Sequence, residues 1–381
     1  IGDRYPITWA VCRARRVRLY PKCRGCKFNA DELEAQARAE ALEHGKDFDV
    51  IFKAYDIRGI VDENLDEEVA WKVGFAVGQY LLGCLDGAQR EQPSAQKVIL
   101  GYDMRPSSEP LSKACSEGVL ASGADCTVIG QVETPALTFA VASLGACGGI
   151  MITASHNPVQ YNGFKICGFG ALPVGAGTGL EKIKEIAKGV TSTERPLRGK
   201  MLQVDISSRY LVHLKTFAGD IKPMKMVLDA SNGMASKWTP SLLRQFNLDV
   251  DPLNYERSGR FAHDPNPMVV NNLAALQGRV RATGARLGVC FDGDADRAVF
   301  VDENAEPVRS DVVTALLAGE YLKKGRDVPI IYDLRSTWAL KEEIERYGGT
   351  PRRERVGHTF FKAAMRKYDA PFGGELSGHY Y

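Results

Sequence analysis

The 381-residue chain has no apolar run approaching the ~18 residues that a membrane-crossing helix needs, so no spanning topology and no membrane partner are expected. Its start lacks the basic-then-apolar layout of a secretion signal, and Ile1 in place of Met reads as a fragment or a processed product. The nine cysteines form no regular framework. Six of them (Cys84, Cys115, Cys126, Cys147, Cys167 and Cys290) lie in or beside apolar runs, the pattern of buried, reduced thiols in a reducing, cytoplasmic compartment. A Gly-x-Ser-x-Gly elbow is missing, which argues against a hydrolase triad. Strong charge is missing too. The net is +2, and residues 1–30 alone carry eight Lys/Arg against Asp3, a local +7 that leaves −5 for the remainder. Such a remainder suits an enzyme and not a nucleic-acid binder.

The hydrophobic fraction of 44% and charged fraction of 25% are those of an ordinary soluble protein. A chain this long exceeds what one core serves, so two or three domains are expected. Residues 1–47 read as a basic, irregular extension. Cys12, Cys23 and Cys26 give one Cys-x-x-Cys pair and an outlier, with no fourth ligand before His44, whereas a zinc site needs four. Residues 30–43 read as a polar, Ala/Glu-rich surface helix.

Beyond that extension one pattern recurs. Val98 to Asp103, Met226 to Asp229 and Ile330 to Asp333 are apolar strand-like runs that end in aspartate. Each passes through a short polar turn into a helix-like segment, starting near Glu109, Lys237 and Trp338. Strand-turn-helix units of this kind favour α/β layers with mainly parallel strands. We therefore expect tandem, related three-layer α/β domains with mixed, mainly parallel sheets. Glycine-rich and polar punctuation sets the expected boundaries at 48–203, 204–305 and 306–381.

Two loops carry the chemistry. Gly148 to Ala154 is a buried-strand pattern, and it delivers Ser155 at a strand's carboxyl end, where open α/β sheets place their ligands. The plain alternative is that Thr153, Ser155 and Asn157 only hydrogen-bond a loop. Asp292, Asp294 and Asp296 alternate, so an extended backbone points all three to one side, where they repel unless a cation lies between them. A hard divalent ion such as Mg²⁺ takes such oxygen ligands. An EF-hand reading, with Glu303 at the twelfth position, fails because Arg297 stands where that loop needs Gly. A solvated acidic turn is the remaining alternative. Glu375, Ser377 and His379, following Gly373-Gly374, can bind sugar hydroxyls, although as an isolated signal the loop is weak. A serine beside a carboxylate-held metal is the equipment of phosphoryl transfer through a phosphoserine.

Taken in order, these loops resemble the α-D-phosphohexomutases, in particular the bacterial phosphomannomutase/phosphoglucomutase branch. The resemblance runs over about residues 50–381. It includes Phe52 to Gly59, Thr153 to Pro158, Tyr161 to Lys165, Asp292 to Arg297, Val356 to His358 and Gly373 to His379. It implies a phosphohexomutase that interconverts hexose 6- and 1-phosphates of mannose, and of glucose as a second sugar, through a 1,6-bisphosphate. It implies Ser155 as phosphoserine, with Ser155, Asp292, Asp294 and Asp296 around Mg²⁺. Arg58, His156, Lys165 and Arg297 would line the transfer site, with Lys165 or His358 as proton-transfer group, and Tyr55, Glu375, Ser377 and His379 would meet the sugar. A hexose 1,6-bisphosphate would act as activator, the partners being hexose phosphates and the protein a monomer or homodimer. The family's fourth domain, with its phosphate-binding loop, has no counterpart before Tyr381, which implies weak substrate binding and slow turnover. The competing expectations are a phosphoglucosamine mutase, disfavoured by Leu376, a metal-dependent phosphatase, and a non-catalytic sugar-phosphate-binding fragment.

Overall fold

A computed structural model describes residues 47–381 apart from Lys324 and Arg326. The expectations for residues 1–46, including Cys12, Cys23, Cys26 and His44, lie outside the described residues. Three sheets follow one another along the chain.

The first sheet is built from β1 (Ile57–Ile60), β2 (Lys97–Tyr102), β3 (Asp125–Gln131), β4 (Gly148–Ile152), β5 (Tyr161–Cys167), β6 (Pro173–Val174) and β7 (Met201–Gln203). Its order is β1-β5-β4-β2-β3-β7, with β6 on β5. β2 runs parallel to β3 and β4, while β5 is antiparallel to β1 and β4. Helices α1 (Glu67–Cys84), α2 (Ser108–Ser122), α3 (Thr134–Ser143) and α4 (Leu180–Lys188) cover it. Side chains alternate across a strand, and here the two sets enter separate cores. Val98, Leu100, Ile150 and Ile152 pack with residues of α1 and α2, whereas Ile99 and Met151 pack with residues of α3. That division makes three layers out of β2 and β4.

The second sheet has the order β12-β11-β10-β8-β9. It uses β8 (Met224–Asp229), β9 (Leu248–Leu253), β10 (Leu287–Phe291), β11 (Ala298–Val301) and β12 (Pro307–Val308), after helix α5 (Ser207–Lys215) and around α6 (Ala274–Thr283). The helix expected from near Lys237 starts at Thr239 and is short. A 3₁₀ turn at Met234–Ser236 precedes a five-residue helix at Thr239–Leu243, because β9 already begins at Leu248. The third sheet, β14-β13-β15, is parallel. It comprises β13 (Pro329–Asp333), β14 (Thr350–Glu354) and β15 (Phe372–Gly374), with α7 (Ser310–Leu322), α8 (Trp338–Arg346) and α9 (His358–Tyr368).

The three aspartate-terminated strands share one local device. Asp103, Asp229 and Asp333 are fully buried. Each accepts the backbone N–H two residues on, from Arg105 (3.0 Å), Ser231 (2.8 Å) and Arg335 (2.8 Å). An aspartate satisfying its own backbone in this way is an Asx-turn, and it bends the chain out of the strand. The same turn therefore opens the carboxyl edge of all three sheets.

α1 starts at Asp66, whose carboxylate accepts from Val69 N at 3.0 Å, with Glu67 and Glu68 in the first turn favouring the helix dipole. It crosses α2 at backbone contact. A Cβ on Gly74 would lie 2.1 Å from Cys115 O, and one on Gly118 would lie 2.0 Å from Trp71 O. Gly118→Ala should accordingly destabilise by about 1–3 kcal/mol or more, since the overlap is with rigid backbone. Urea unfolding checks this, and a loss below about 0.5 kcal/mol would show that the helices separate freely.

Candidate active site

Ser155 sits three residues past the end of β4, at φ 52° and buried. A left-handed conformation at a non-glycine residue costs on the order of 1–3 kcal/mol and persists only when its surroundings impose it. Here they do. Ser155 N donates to Thr153 Oγ1 (2.9 Å), and Thr153 Oγ1 donates to Asp103 (2.7 Å). Arg105, among the most deeply buried side chains, holds the other side. Its Nη2 donates to the carbonyls of Ser155 (2.9 Å) and Asn157 (2.7 Å), its Nη1 to those of Pro158 (2.7 Å) and Tyr161 (3.1 Å), and its Nε to Asp103 (3.1 Å).

The Ser155 hydroxyl reaches Asp292 Oδ2 at 3.0 Å and His156 Nδ1 at 3.2 Å. Asp292 opens the loop after β10, where its Oδ1 accepts the backbone N–H groups of Asp296 and Arg297. β11 follows at once and Asp292 and Asp294 are wholly buried, so neither an EF-hand nor a solvated acidic turn is present. One oxygen from each of Asp292, Asp294 and Asp296 lies within 4.8 Å of the others. Lys165 on β5 places Nζ 2.6 Å from both Asp294 Oδ2 and Asp296 Oδ2. Burial opposes charge on that amine, but the carboxylates of Asp294, Asp296 and Asp292 outweigh it and raise its pKa. Asp292 is pushed up to about 8 by burial and by the neighbouring Asp296 and Asp294. Asp294 Oδ1 is moreover buried without a hydrogen-bond partner. All-oxygen donors, close-packed carboxylates and an orphaned acceptor fit a hard divalent cation.

A second layer closes over this pair of loops. Asp296 Oδ1 meets His379 Nε2 at 3.2 Å, and His379 Nδ1 meets Glu375 Oε2 at 3.1 Å. Burial opposes protonation of His379, yet the flanking carboxylates raise its pKa and favour a protonated ring between them. Ser377 Oγ lies 2.9 Å from the same Nδ1. Glu375 also accepts Gly357 N (2.7 Å) and the Tyr381 hydroxyl (3.2 Å). The three residues expected to meet sugar hydroxyls are therefore engaged with one another. Gly357 (φ 127°) turns the chain into α9, so that His358 begins that helix. Tyr55 packs edge-on against the His358 ring at 6.3 Å and donates to Val356 O. Arg58 donates to Asn157 Oδ1 (3.1 Å) and Asp56 (2.5 Å), leaving its buried Nε–H unpartnered. Arg297 sits 3.7 Å from Asp292. The Arg58 Nε–H donor and the Asp294 Oδ1 acceptor are thus both buried and unpartnered, a donor for an anion and an acceptor for a cation.

All the residues singled out in the sequence thus converge on one region. It opens into a cavity of about 730 Å³ lined by Lys165, Asp296, His358, His379, Phe139 and Tyr210, within the size range of small-molecule sites. Reading the sequence missed Thr134, which donates its hydroxyl to Asp294 and its N–H to Asp294 O (3.1 Å), and missed the clamp role of Arg105. Arg105 was visible in the turn after β2; Thr134 carried no local signal.

Family models describing phosphoglucomutase/phosphomannomutase α/β/α domains I, II and III match residues 49–194, 208–305 and 309–381. The chain belongs to the phosphoglucomutase/phosphomannomutase family. A phosphomannomutase of Vibrio cholerae is 35% identical over 338 residues, 87% of this chain and 72% of the relative. A protein of Xanthomonas campestris described as phosphohexose mutases is 35% identical over 334 residues, with the same shares. Among solved structures, a phosphoglucomutase/phosphomannomutase family protein from Burkholderia thailandensis aligns with a TM-score of 0.78 at 31% identity, over 87% of this chain and 71% of that one. Family membership makes the chain a phosphotransfer mutase of carbohydrate metabolism. Among the described residues no helix is long and apolar enough to cross a membrane.

His156 supplies a test of the site's electrostatics. Burial, then the positive charges of Arg297 and Arg58, push its pKa down to about 3. Its ring should stay neutral across the ~5 to 8 range in which histidines ordinarily titrate. A histidine NMR titration showing an inflection for His156 in that range would contradict the packing described.

Proposed function

We propose that the chain interconverts hexose 6-phosphate and hexose 1-phosphate, of mannose and of glucose as a second sugar, and that Ser155 carries the phosphoryl group. The observation that supports this most is the contact between the Ser155 hydroxyl and Asp292, the first of three clustered carboxylates. A nucleophile touching a cation-holding carboxylate suits reversible phosphoryl exchange at the serine oxygen.

In the forward half-reaction a sugar hydroxyl attacks the phosphorus on Ser155. The new P–O(sugar) bond forms, the P–Oγ bond breaks, and the product is a hexose 1,6-bisphosphate. The hydroxyl's proton needs an acceptor. His358 is the candidate acceptor: burial, then Lys165 and Lys362, lower its pKa to about 3, which keeps the imidazole unprotonated but makes it a weak base that takes the proton only as the transfer advances. Lys165, held protonated by its carboxylates, and Arg297 face the transferring oxygens and offset their charge. Arg58 offers its free Nε–H to the phosphate and steadies the serine loop through Asn157. In the second half-reaction the bisphosphate, turned round, returns its other phosphoryl to Oγ, left as an oxyanion by the first transfer: the P–Oγ bond forms, the P–O(sugar) bond breaks, and the proton taken up in the first half goes from His358 to the released sugar oxygen. Mg²⁺ held by Asp292, Asp294 and Asp296 beside Ser155 would supply Lewis-acid stabilisation of phosphoryl oxygens. A hexose 1,6-bisphosphate would prime the unphosphorylated enzyme. For the sugar itself, Tyr55, Glu375, Ser377 and His379 become available once the His379 bridge opens. Five described cysteines are buried and unpaired, which supports a cytoplasmic setting.

Intact-mass analysis with peptide mapping after incubation with glucose 1,6-bisphosphate should find one phosphate on Ser155. That phosphate should leave on adding mannose 1-phosphate, and Ser155→Ala should lower kcat by at least about 10³-fold. A Ser155 that never gains phosphate would favour a binding module, and net release of inorganic phosphate a phosphatase. Faster turnover of glucosamine 1-phosphate than of mannose or glucose 1-phosphate would reassign the sugar. Thr134→Val, which removes a donor to Asp294, should weaken Mg²⁺ binding by about 10- to 100-fold in calorimetric titration.

A further inference from the structure

We infer that the loop Tyr255–Asp264 of the second sheet positions the phosphate carrier: Phe261 covers the guanidinium face of Arg105, which clamps the Ser155 loop, and His263 latches that loop to Asp229. The inference rests on the reading of Ser155 as carrier.

Arg105 is the starting point. A guanidinium has five N–H donors, all in its plane. Here all five are used, one on Asp103 and four on the carbonyls of Ser155, Asn157, Pro158 and Tyr161. Only its faces remain, and the Phe261 ring lies over one at 5.3 Å from its centroid. A desolvated cation over an aromatic face is attracted by the ring's quadrupole. More important here, the ring keeps water from competing for the four carbonyls. The loop approaches the clamp elsewhere as well. A Cβ on Gly259 would meet the Pro106 ring at 2.4 Å and Met104 O at 3.2 Å, and one on Gly293 would meet Ser155 O at 2.6 Å and Pro265 Cβ at 3.6 Å.

The loop is fastened to its own sheet by two residues. Asn232, buried at φ 52°, accepts from Ala262 N (2.9 Å) and donates to Glu256 O (3.0 Å). His263 places Nε2 3.1 Å from Asp229 Oδ2 and Nδ1 2.9 Å from Asp264 O. A carboxylate and a carbonyl only accept, so both ring nitrogens must donate and the ring is an imidazolium. The other sheets explain why. Asp103 and Asp333 each pair with an arginine two residues on, Arg105 and Arg335. The second sheet has Ser231 at that place, and His263 supplies the cation instead. The groups facing this ring are Asp229 at the end of β8, Cys290 on β10 and Asp264 on its own loop; the Tyr255 hydroxyl, bonded to Thr239, feels the same Asp229 charge. The hydrogen bond to Asp229 raises the His263 pKa against the opposing effect of burial. A raised pKa means the latch is complete below the ordinary histidine value and is lost as pH rises through the folded value.

His263 and Phe261 are positioning residues, so the test reads the carrier. Wild-type turnover of mannose 1-phosphate is measured first; its absence would sink the mutase reading and leave two readouts standing. These are the ¹⁵N NMR signals of His263 near neutral pH, expected in the protonated range for both nitrogens, and hydrogen exchange in the 153–161 segment. Phe261→Ala should speed that exchange and lower kcat about tenfold, with KM within about twofold, while Phe261→Trp keeps most of the rate. His263→Gln should remove the part of the alkaline fall in kcat that the wild type shows. Unchanged kcat and exchange in Phe261→Ala, or equal losses in the alanine and tryptophan variants with the fold intact, would overturn the inference. So would a neutral His263 ring, or stoichiometric zinc held by Asp229, His263 and Cys290 and lost in Cys290→Ser.

Discussion

The catalytic centre is organised by the mutual repulsion of three buried carboxylates. Asp292, Asp294 and Asp296 cannot all be ionised in a low-dielectric pocket without compensation. The surrounding loops supply it from several directions: Lys165 from β5, Arg297 from the same loop and His379 from beyond β15. Those bonds tie the first and third sheets to the second. The charge that suits a divalent cation is thus also a reason the three sheets meet where they do. The cost is that Glu375, Ser377 and His379, the residues proposed to meet the sugar, are occupied with one another.

Much of this was legible because the relevant signals are local. The strand ending before Ser155, the alternating aspartates and the three strand-Asp turns each span fewer than about eight residues, the scale on which periodicity and turn chemistry act. β2, β8 and β13 fall on the three apolar runs, and the turn after each is set by its own aspartate. The helix after Asp229 was legible only as a start near Lys237, since a polar turn followed by Thr239-Pro240 reads as a helix start and says little about length. What ended that helix was the demand of β9 for a partner beside β8.

The parts that could not be read are those made by chain crossings. Thr134 reaches Asp294 across 160 positions, and Arg105 reaches carbonyls more than 50 positions away. Phe261 meets Arg105 only because the loops after β2 and β9 face each other. No spacing rule connects such residues. Arg105 had a visible place but an invisible role. An arginine two residues after a strand-ending aspartate reads equally well as a surface ion pair, which is much what Arg335 makes with Asp333. Burial alone separates the two.

The left-handed backbone of Ser155 also bears on which amino acid can serve as carrier. Threonine has the same hydroxyl chemistry and accepts phosphate as readily. At φ 52°, however, a β-branched residue is a steric outlier, because its second γ-substituent meets the backbone. The loop therefore discriminates between two chemically equivalent nucleophiles by shape alone. At this position the peptide geometry narrows the genetic alphabet before any catalytic demand is made.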